Sequence, residues 1–504
     1  MAQKKGKSLS LGPILTLIIT SILVIALSFL LSKLGLTTNK TEIINGELST
    51  TAISVNNVLS KEGISHLFSS IIENLKSINA LYGFVIAMLG IGFADRSGLF
   101  KKLFKNARKF KLSFIIVLTL VIGCLLGSLG LNSYALFLPL TAYIYKNLNK
   151  NPVIGIITAF IALSMGQATG ILPTYLNEVL GGLTEKSAVL SVDPNYLFKS
   201  SSLIYILISS LLIFVVFGKL IIDKYLIPRA PKMQNEEEFE ELEVAHKGLK
   251  KSKIAFLIML LILIYSIIPG FPLSGWLLGS GETYLSRLLS PGSPFQESYV
   301  YIFSVILIIL GTIYGISSKK IKTFDDFTRN FSTCFSGMSL VFVFMFFMSQ
   351  LIAVVKFTNL DEFLVSALVN WLSTLEITGL GLIIILFLVL IIVGIIMPDS
   401  LSKWNIIAPT IVPLLMRANM SASFAQFIFT VSDGIGKSIS MLFPYAAILF
   451  GLIYKYTEKG DYGFAKLYKT LSPLLILFTI VWLVIIITWY VVGIPLGIGV
   501  LPSL

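Results

Sequence analysis

The chain has 504 residues, with 39 Lys plus Arg against 26 Asp plus Glu, a formal net charge of +13, 55% hydrophobic residues and only 13% charged ones. So small a charged share, about half that of a soluble domain, excludes a water-soluble enzyme; uncharged stretches of ~20 residues recur, each long enough to cross a bilayer core of roughly 30 Å, so this is a polytopic membrane protein. The basic residues sit in short clusters between apolar segments without interleaved aromatics, so topology and not nucleic acid accounts for them.

The chain opens on Lys4-Lys5-Gly6-Lys7 and an uncharged run from Ser8 to Ser32. That run is too long for a signal peptide and no small-residue cleavage site follows it, so it reads as a retained first transmembrane helix. Counting Lys and Arg over short loops places the N-terminus in the cytoplasm, with Lys101 to Lys111, Lys146 to Lys150, Lys319 to Lys322 and Lys455 to Lys469. Two halves of one membrane domain, 1–226 and 254–504, are joined by a charged cytoplasmic linker at 227–253. Its run Glu236-Glu237-Glu238-Phe239-Glu240-Glu241, followed by Lys247, Lys250, Lys251 and Lys253, reads as a solvated segment. Cys124 and Cys334 are far apart and offer neither a disulfide framework nor a metal site.

From Leu112 to Tyr145 there are 34 residues without a charge. As one helix they would span about 51 Å, too long for one crossing and too short for two. The run therefore breaks, at Gly127-Ser128-Leu129-Gly130-Leu131-Asn132-Ser133, ahead of Pro139. The second half repeats the event between Gly394 and Trp404, through Met397-Pro398-Asp399-Ser400-Leu401-Ser402-Lys403, ahead of Pro409. Pro139 and Pro409 are 270 apart, Asn132-Ser133 and Ser402-Lys403 share that offset, and Gly166-Gln167-Ala168-Thr169-Gly170 precedes Gly434-Ile435-Gly436 by 266 to 268. The sequence thus predicts in each half a helix, a broken polar segment, a Pro-containing helix and a second break. Matching interruptions of this kind mark an inverted-repeat secondary transporter, with substrate and ion sites between half-helix ends.

An ionisable side chain at membrane depth is expensive, so Asp399, Lys403, Asp433 and Lys437 are candidate functional groups, Asp399, Asp433 and Lys437 for ion coupling. Asp433 and Lys437 are four apart, on one face of a helix that stays wound, where they form an ion pair and the Lys437 ammonium takes the place of a coupling cation. In the competing arrangement Gly434 and Gly436 open the helix and Lys437 reaches an interface. Asn132, Gln167 and Asn177 are uncharged groups at the breaks, placed to line a cavity. There is no HExxH, GxSxG or P-loop pattern, and His66 and His246 lack metal-ligand spacing, so an enzyme is not expected. A channel is the other class, and it would show neither saturation nor counterflow.

In the second half, Ser402-Lys403-Trp404 with Ala408-Pro409 and Val412-Pro413, then Asp433 with Pro444-Tyr445, resembles the p-aminobenzoyl-glutamate transporter family of AbgT type. The likeness continues through Ala87-Met88-Leu89-Gly90-Ile91-Gly92, Asp95-Arg96-Ser97-Gly98-Leu99, Ser293-Pro294-Phe295, Gln350-Leu351-Ile352-Ala353 and Gly493-Ile494-Pro495-Leu496-Gly497, all in family order. The resemblance implies an all-α, multi-pass carrier of the inner membrane, a homodimer with about nine transmembrane helices and two re-entrant hairpins. It implies uptake of p-aminobenzoyl-glutamate or export of sulfonamide-type compounds, driven by a proton or sodium gradient, with no organic cofactor. Lys403 and Trp404 then offer a cation and a flat face to an aromatic acyl anion, with Ser400, Ser402, Asn132 and Ser133 completing a substrate site. Alternatively Lys403 pairs with Asp399, Trp404 anchors at an interface, and the serines replace backbone bonds lost at the break. The chain departs from the family where Ser-Asp-Ala-Gly-Tyr becomes Gly130-Leu131-Asn132-Ser133-Tyr134, where Ala-Asn becomes Thr169-Gly170, where Leu-Asp becomes Leu176-Asn177, and at Gly394, Leu401, Thr430 and Lys437. A different organic anion, such as a dicarboxylate or short peptide, is the alternative cargo.

Overall fold

The computed structural model describes residues 12–171, 174–231, 246–290, 292–457 and 464–504, so the acidic run at 236–241 lies outside the described residues. The chain starts with α1 (Pro13–Lys33), which has Pro at its first position and is apolar around its circumference. The expectation of an all-α chain is then corrected. β1 (Thr37–Ile44) and β2 (Glu47–Ser54) pair antiparallel from Thr37 opposite Ser54 to Ile44 opposite Glu47. Asn45 and Gly46 both have positive φ (53° and 86°), as the two-residue turn of a right-twisted hairpin requires.

Four helices follow: α2 (Lys61–Ser69), α3 (Ile71–Lys76), α4 (Asn79–Arg96) and α5 (Leu99–Phe104). The first unit comprises α6 (Leu112–Gly127), α7 (Asn132–Asn147), α8 (Pro152–Met165) and α9 (Tyr175–Ser191). Then α10 (Ile204–Ile221) runs through a π-turn into the short α11 (Ile227–Arg229). The connection to the second unit holds α12 (His246–Ile267), α13 (Tyr284–Leu289), α14 (Pro294–Ser317), α15 (Phe324–Ser332), α16 (Ser339–Thr358) and α17 (Leu360–Ser373). The second unit is α18 (Gly379–Ile396), α19 (Ser400–Arg417), α20 (Ala422–Ile439) and α21 (Ala446–Tyr456), and α22 (Phe464–Val492) closes the helical part. The β-hairpin rests on α17, where Lys40 pairs with Glu362 at 3.1 Å and the Asn370 amide donates to the Asn39 carbonyl at 2.8 Å.

Among the described residues six helices are long and apolar enough to cross a bilayer, and α4 with the segment Leu99–Lys109 is a further apolar pair, bent by 67° as in a broken span or a re-entrant loop. The 34-residue apolar run divides as its length requires, into α6 and α7 around residues 128–131.

The helix ends of the two units match at a constant spacing. The tight turns α7–α8 and α19–α20 each pass through an asparagine of positive φ, Asn149 (57°) and Asn419 (62°), and these are 270 positions apart. Their N-caps, Asn151 and Ser421, keep the same offset and accept the Val153 and Phe424 amides at 3.0 and 3.3 Å. The first turn meets the chain just beyond α11, where Asn151 Nδ2 donates to the Pro231 carbonyl (2.8 Å). The second is held by the C-terminal strap, through Ser421 N to the Pro502 carbonyl (2.8 Å) and Leu504 N to the Asn419 carbonyl (3.3 Å). That strap also binds the start of α10, whose Tyr205 and Ile206 amides donate to the Leu496 carbonyl. The two turns therefore lie towards opposite ends of α10–α11.

Every residue of α8, and α20 from Ala422 to Ser438, is buried. Glycines let these two helices approach their neighbours. A Cβ on Gly166 would come within 2.5 Å of the Gly127 backbone at the end of α6, and one on Gly436 within 2.6 Å of the Gly394 Cα in α18. This corrects the expected second break in the second half. There α20 continues unbroken to Ile439, and Gly434 and Gly436 serve close packing, with the Ser164 carbonyl of α8 filling the space a Cβ on Gly434 would need. In the first half the break is present, because α8 stops at Met165 and α9 starts only at Tyr175.

Candidate functional site

The site forms where α18 stops and α19 begins. Met397 leaves the helical region (φ −129°, ψ 92°) ahead of Pro398, whose ring disfavours a helical residue before it. Asp399 then caps α19 by accepting the Ser402 amide at 2.9 Å. A helix end leaves carbonyls without intrahelical partners, and the Lys403 ammonium takes that of Met397 at 2.7 Å. Lys403 also bonds Asp433 Oδ1, and its Nζ lies 5.7 Å from the centre of the Phe429 ring. The other oxygen, Asp433 Oδ2, accepts from Ser400 Oγ at 2.7 Å and pairs with Lys437 Nζ at 2.6 Å. Lys437 donates in turn to Ser400 Oγ and lies 3.5 Å from Gln167 Oε1 in the first unit's break.

Lys403 and Asp433 are 0% exposed and Lys437 2% exposed, so two ammonium groups share one carboxylate in a cluster closed to solvent. With all three ionised the cluster carries a net charge of +1. Part of that surplus is offset by backbone. Lys403 faces the C-terminal end of α18 and Lys437 lies in the last turn of α20, the helix ends that favour cations.

Trp404, fully buried, points away from this cluster towards α9. Its indole N–H donates to Thr184 Oγ1 (3.0 Å) and the Leu180 carbonyl (3.2 Å), and its ring stacks on Phe429 at 4.3 Å. The Thr184 hydroxyl donates to Gln426 Oε1 (2.7 Å), and Gln426 Nε2 donates to the Asn177 carbonyl (2.8 Å). Burial removes the interfacial anchor as a reading of Trp404 and the interface-reaching arrangement of Lys437, and Lys403 pairs with Asp433 in place of Asp399.

Of the residues singled out in the sequence, the fold gathers Ser400, Lys403, Asp433 and Lys437, with Gln167 beside Lys437. Asp399 and Ser402 are exposed at the first turn of α19, outside the cluster. Asn132 and Ser133 belong to a second polar group at the start of α7: Tyr445 donates to Asn132 Oδ1 (3.1 Å), and Ser133 Oγ lies 3.0 Å from the Tyr299 hydroxyl. Tyr134 links the two groups. It packs on Phe443 and Tyr445 (5.1 and 5.4 Å between rings), and its hydroxyl donates to Ser164, the residue that backs Gly434. Sequence reasoning missed Gln426, Thr184 and Phe429. Gln426 had a signal, since it lies seven residues, two helical turns, before Asp433 in an apolar stretch. Among the described residues no three His, Cys, Asp or Glu side chains gather as a metal site.

Over residues 3–504 the sequence matches the family described as "AbgT putative transporter family". The chain belongs to the AbgT transporter family. Its relatives include the p-aminobenzoyl-glutamate transport protein of Escherichia coli (strain K12), 24% identical over 458 residues, which covers 90% of this chain and 88% of the relative. Two solved structures are similar. The Alcanivorax borkumensis YdaH transporter is 23% identical, covers 96% of this chain and all of its own, and has a TM-score of 0.48. Neisseria gonorrhoeae MtrF, described as illuminating a class of antimetabolite efflux pumps, is 22% identical, covers 97% of each chain and has a TM-score of 0.47. The AbgT homologues are transport proteins and not enzymes, and the chain is accordingly a multi-pass membrane transporter.

Proposed function

We propose that this AbgT transporter is a secondary active carrier of an organic anion resembling p-aminobenzoyl-glutamate, or of sulfonamide-like compounds in the outward direction, and that it works by alternating access. The observation that carries the reading is the buried Lys403–Asp433–Lys437 cluster at the helix breaks. A buried site with two ammonium groups to one carboxylate attracts a second carboxylate. The substrate anion takes up the surplus charge beside Ser400 and Lys403. Asn132, Ser133 and Ser402 flank its path, and Trp404 with Phe429 holds the wall behind Lys403. The supporting architecture is an inverted pair of units, α6–α9 and α18–α21, with two re-entrant hairpins and about nine crossings in all. Each half-chain, 1–226 and 254–504, carries one unit, with the N-terminus cytoplasmic and the protein a homodimer. The placement of the two hairpin turns towards opposite ends of α10–α11 favours inversion.

Lys437 stands where a coupling cation would otherwise be needed, since its ammonium meets a carboxylate, a hydroxyl and an amide oxygen. Transport is therefore proton-linked or uncoupled from sodium, with Asp433 as the partner of Lys437 and Asp399 as an acid at the outer rim. In proteoliposomes, p-aminobenzoyl-glutamate flux is expected to saturate, to show counterflow, and to persist without sodium. Flux that never saturates would remove the carrier reading. Collapse on sodium withdrawal would remove the role given to Lys437 alone. Uptake of dicarboxylates or dipeptides in place of p-aminobenzoyl-glutamate would reassign the cargo and leave the mechanism.

A further inference from the structure

We propose, on the organic-anion reading above, that Gln296 sets specificity for the far end of the cargo: its side-chain oxygen accepts an N–H from a neutral aromatic amine whose carboxylate is held at Lys403.

Gln296 stands on the first turn of α14 and reaches across to the break of the first unit. Its Nε2 donates to the Leu129 carbonyl at 2.8 Å, just past the end of α6, where carbonyls lack intrahelical partners. Gly130, in the left-handed region (φ 127°), lets the break pass this close, because a Cβ there would stand 3.0 Å from the same Nε2. The contact with Leu129 fixes which way the amide faces, since turning it over would set two acceptors against each other. Oε1 is therefore a true acceptor, and it is buried with no hydrogen-bond partner among the described residues. A buried acceptor without a partner is destabilising, and a ligand N–H placed there gains more than it would at a group that must first give up water.

The surroundings favour an aryl ring carrying that N–H. Tyr299, one turn along α14, stacks on Phe295 (6.2 Å between rings) and meets Ser133 Oγ with its hydroxyl, while Tyr445, just before α21, donates to Asn132. Tyrosines thus flank the break from two elements with their hydroxyls tied down, which leaves apolar ring surface for a flat ligand. Ser133, Tyr299 and Tyr445 are buried but Asn132 and Gln296 only half-buried, so the group opens on the Gln296 side. The polar groups gathered here are amides and hydroxyls with no acid among them, which suits an arylamine, neutral at pH 7, over an ammonium. The distance to the anion site is also of the right kind. Tyr134 bridges the two groups, from beside Ser133 to Ser164, whose carbonyl lies against Gly434 next to Asp433. A tyrosine is a ring with a polar atom at its para position, so the span it covers is that of a p-aminophenyl group. Both p-aminobenzoyl-glutamate and sulfanilamide carry that group, and one acceptor for its amine would serve both kinds of cargo.

The test measures equilibrium binding to the purified full-length protein of three compounds: p-aminobenzoyl-glutamate, benzoyl-glutamate, which lacks the amine, and p-(dimethylamino)benzoyl-glutamate, which keeps the nitrogen but has no N–H. The natural protein is expected to bind the second and third about 10-fold more weakly than the first. Gln296→Met keeps the length of the side chain and removes Oε1, so it should bind all three within about twofold of one another. A Gln296 that served only to hold Leu129 would, on substitution, weaken all three alike and preserve the preference for the amine, and that result would overturn the proposal. Equal affinities in the natural protein would also overturn it while leaving the cargo reading intact, because the anion site would then act alone. Should Gln296→Met fail to fold, the dimethylamino compound decides on the natural protein: binding as tight as that of the primary amine would show that no N–H is donated. Failure of the natural protein to bind any of the three would remove the cargo reading and this specificity with it.

Discussion

Asp433 is held by three donors from two helices, Ser400 and Lys403 of α19 and Lys437 of its own α20. Removing one partner of a buried pair leaves an uncompensated charge, which costs about 3–5 kcal/mol. Asp433→Asn strands two ammonium groups and is expected to lower the stability of the purified carrier by that order in an unfolding titration. Adding Lys437→Gln removes one of them, so the double variant should be more stable than Asp433→Asn alone, with a non-additive term of about 0.5–3 kcal/mol. A purely additive pair of losses would deny the shared carboxylate. The pairing of Asp433 with Lys437 was legible from the sequence because four residues is the helical repeat. That of Lys403 with Asp433 was not, because it spans 30 residues and depends on how the α19–α20 hairpin closes. Asp399 looked equivalent to Asp433 as a lone acid among apolar residues. Its position just before a helix start marks it as a cap, and the fold uses it so.

The α6–α8 and α18–α20 contacts both run through glycine. Gly166→Ala and Gly436→Ala each drive a methyl group into backbone at 2.5 and 2.6 Å, and backbone cannot swing aside as a side chain can. Both variants are expected to lose folded protein by a comparable margin, about 1–3 kcal/mol or more, when monodispersity and unfolding temperature are compared. Gly182→Ala, where nothing lies within 4 Å, should be neutral or slightly stabilising. The glycines themselves were plain in the sequence, but their use was not. A helix interior tolerates Gly at a cost of roughly 1 kcal/mol when a neighbour needs the room, so the same residue type marks a break at 166–170 and a continuous helix at 434–436. The β-hairpin was legible and overlooked: Asn45-Gly46 between Thr- and Ile-containing strands is a strong short-range turn signal, and reading the N-terminal region for hydropathy alone passed over it.

At the scale of the molecule, the 270-residue spacing read from Pro139 and Pro409 recurs at the turn asparagines Asn149 and Asn419 and the caps Asn151 and Ser421, because turn and cap residues are local signals that sequence displays directly. The orientation of the two units is testable by sidedness. Lys150→Cys beside the first turn and Arg417→Cys beside the second are expected to react with a membrane-impermeant maleimide from opposite faces of sealed vesicles. The native thiols leave a low background, since Cys124 and Cys334 are buried and burial pushes Cys334 to about 11. Labelling of both from the same face would exclude the inverted pair.

The shared carboxylate also determines which helices travel together. Separating α19 from α20 would pull the Lys403 ammonium off the buried Asp433 carboxylate, and Trp404 and Gln426 tie α9 to the same pair through Thr184. In the alternating access proposed above, these three helices would move as one rigid block. The yielding seam would then fall where an uncharged amide, that of Gln167, and not an acid faces Lys437 at 3.5 Å. A cargo that wedges there would pry the block from its neighbour without stranding a charge.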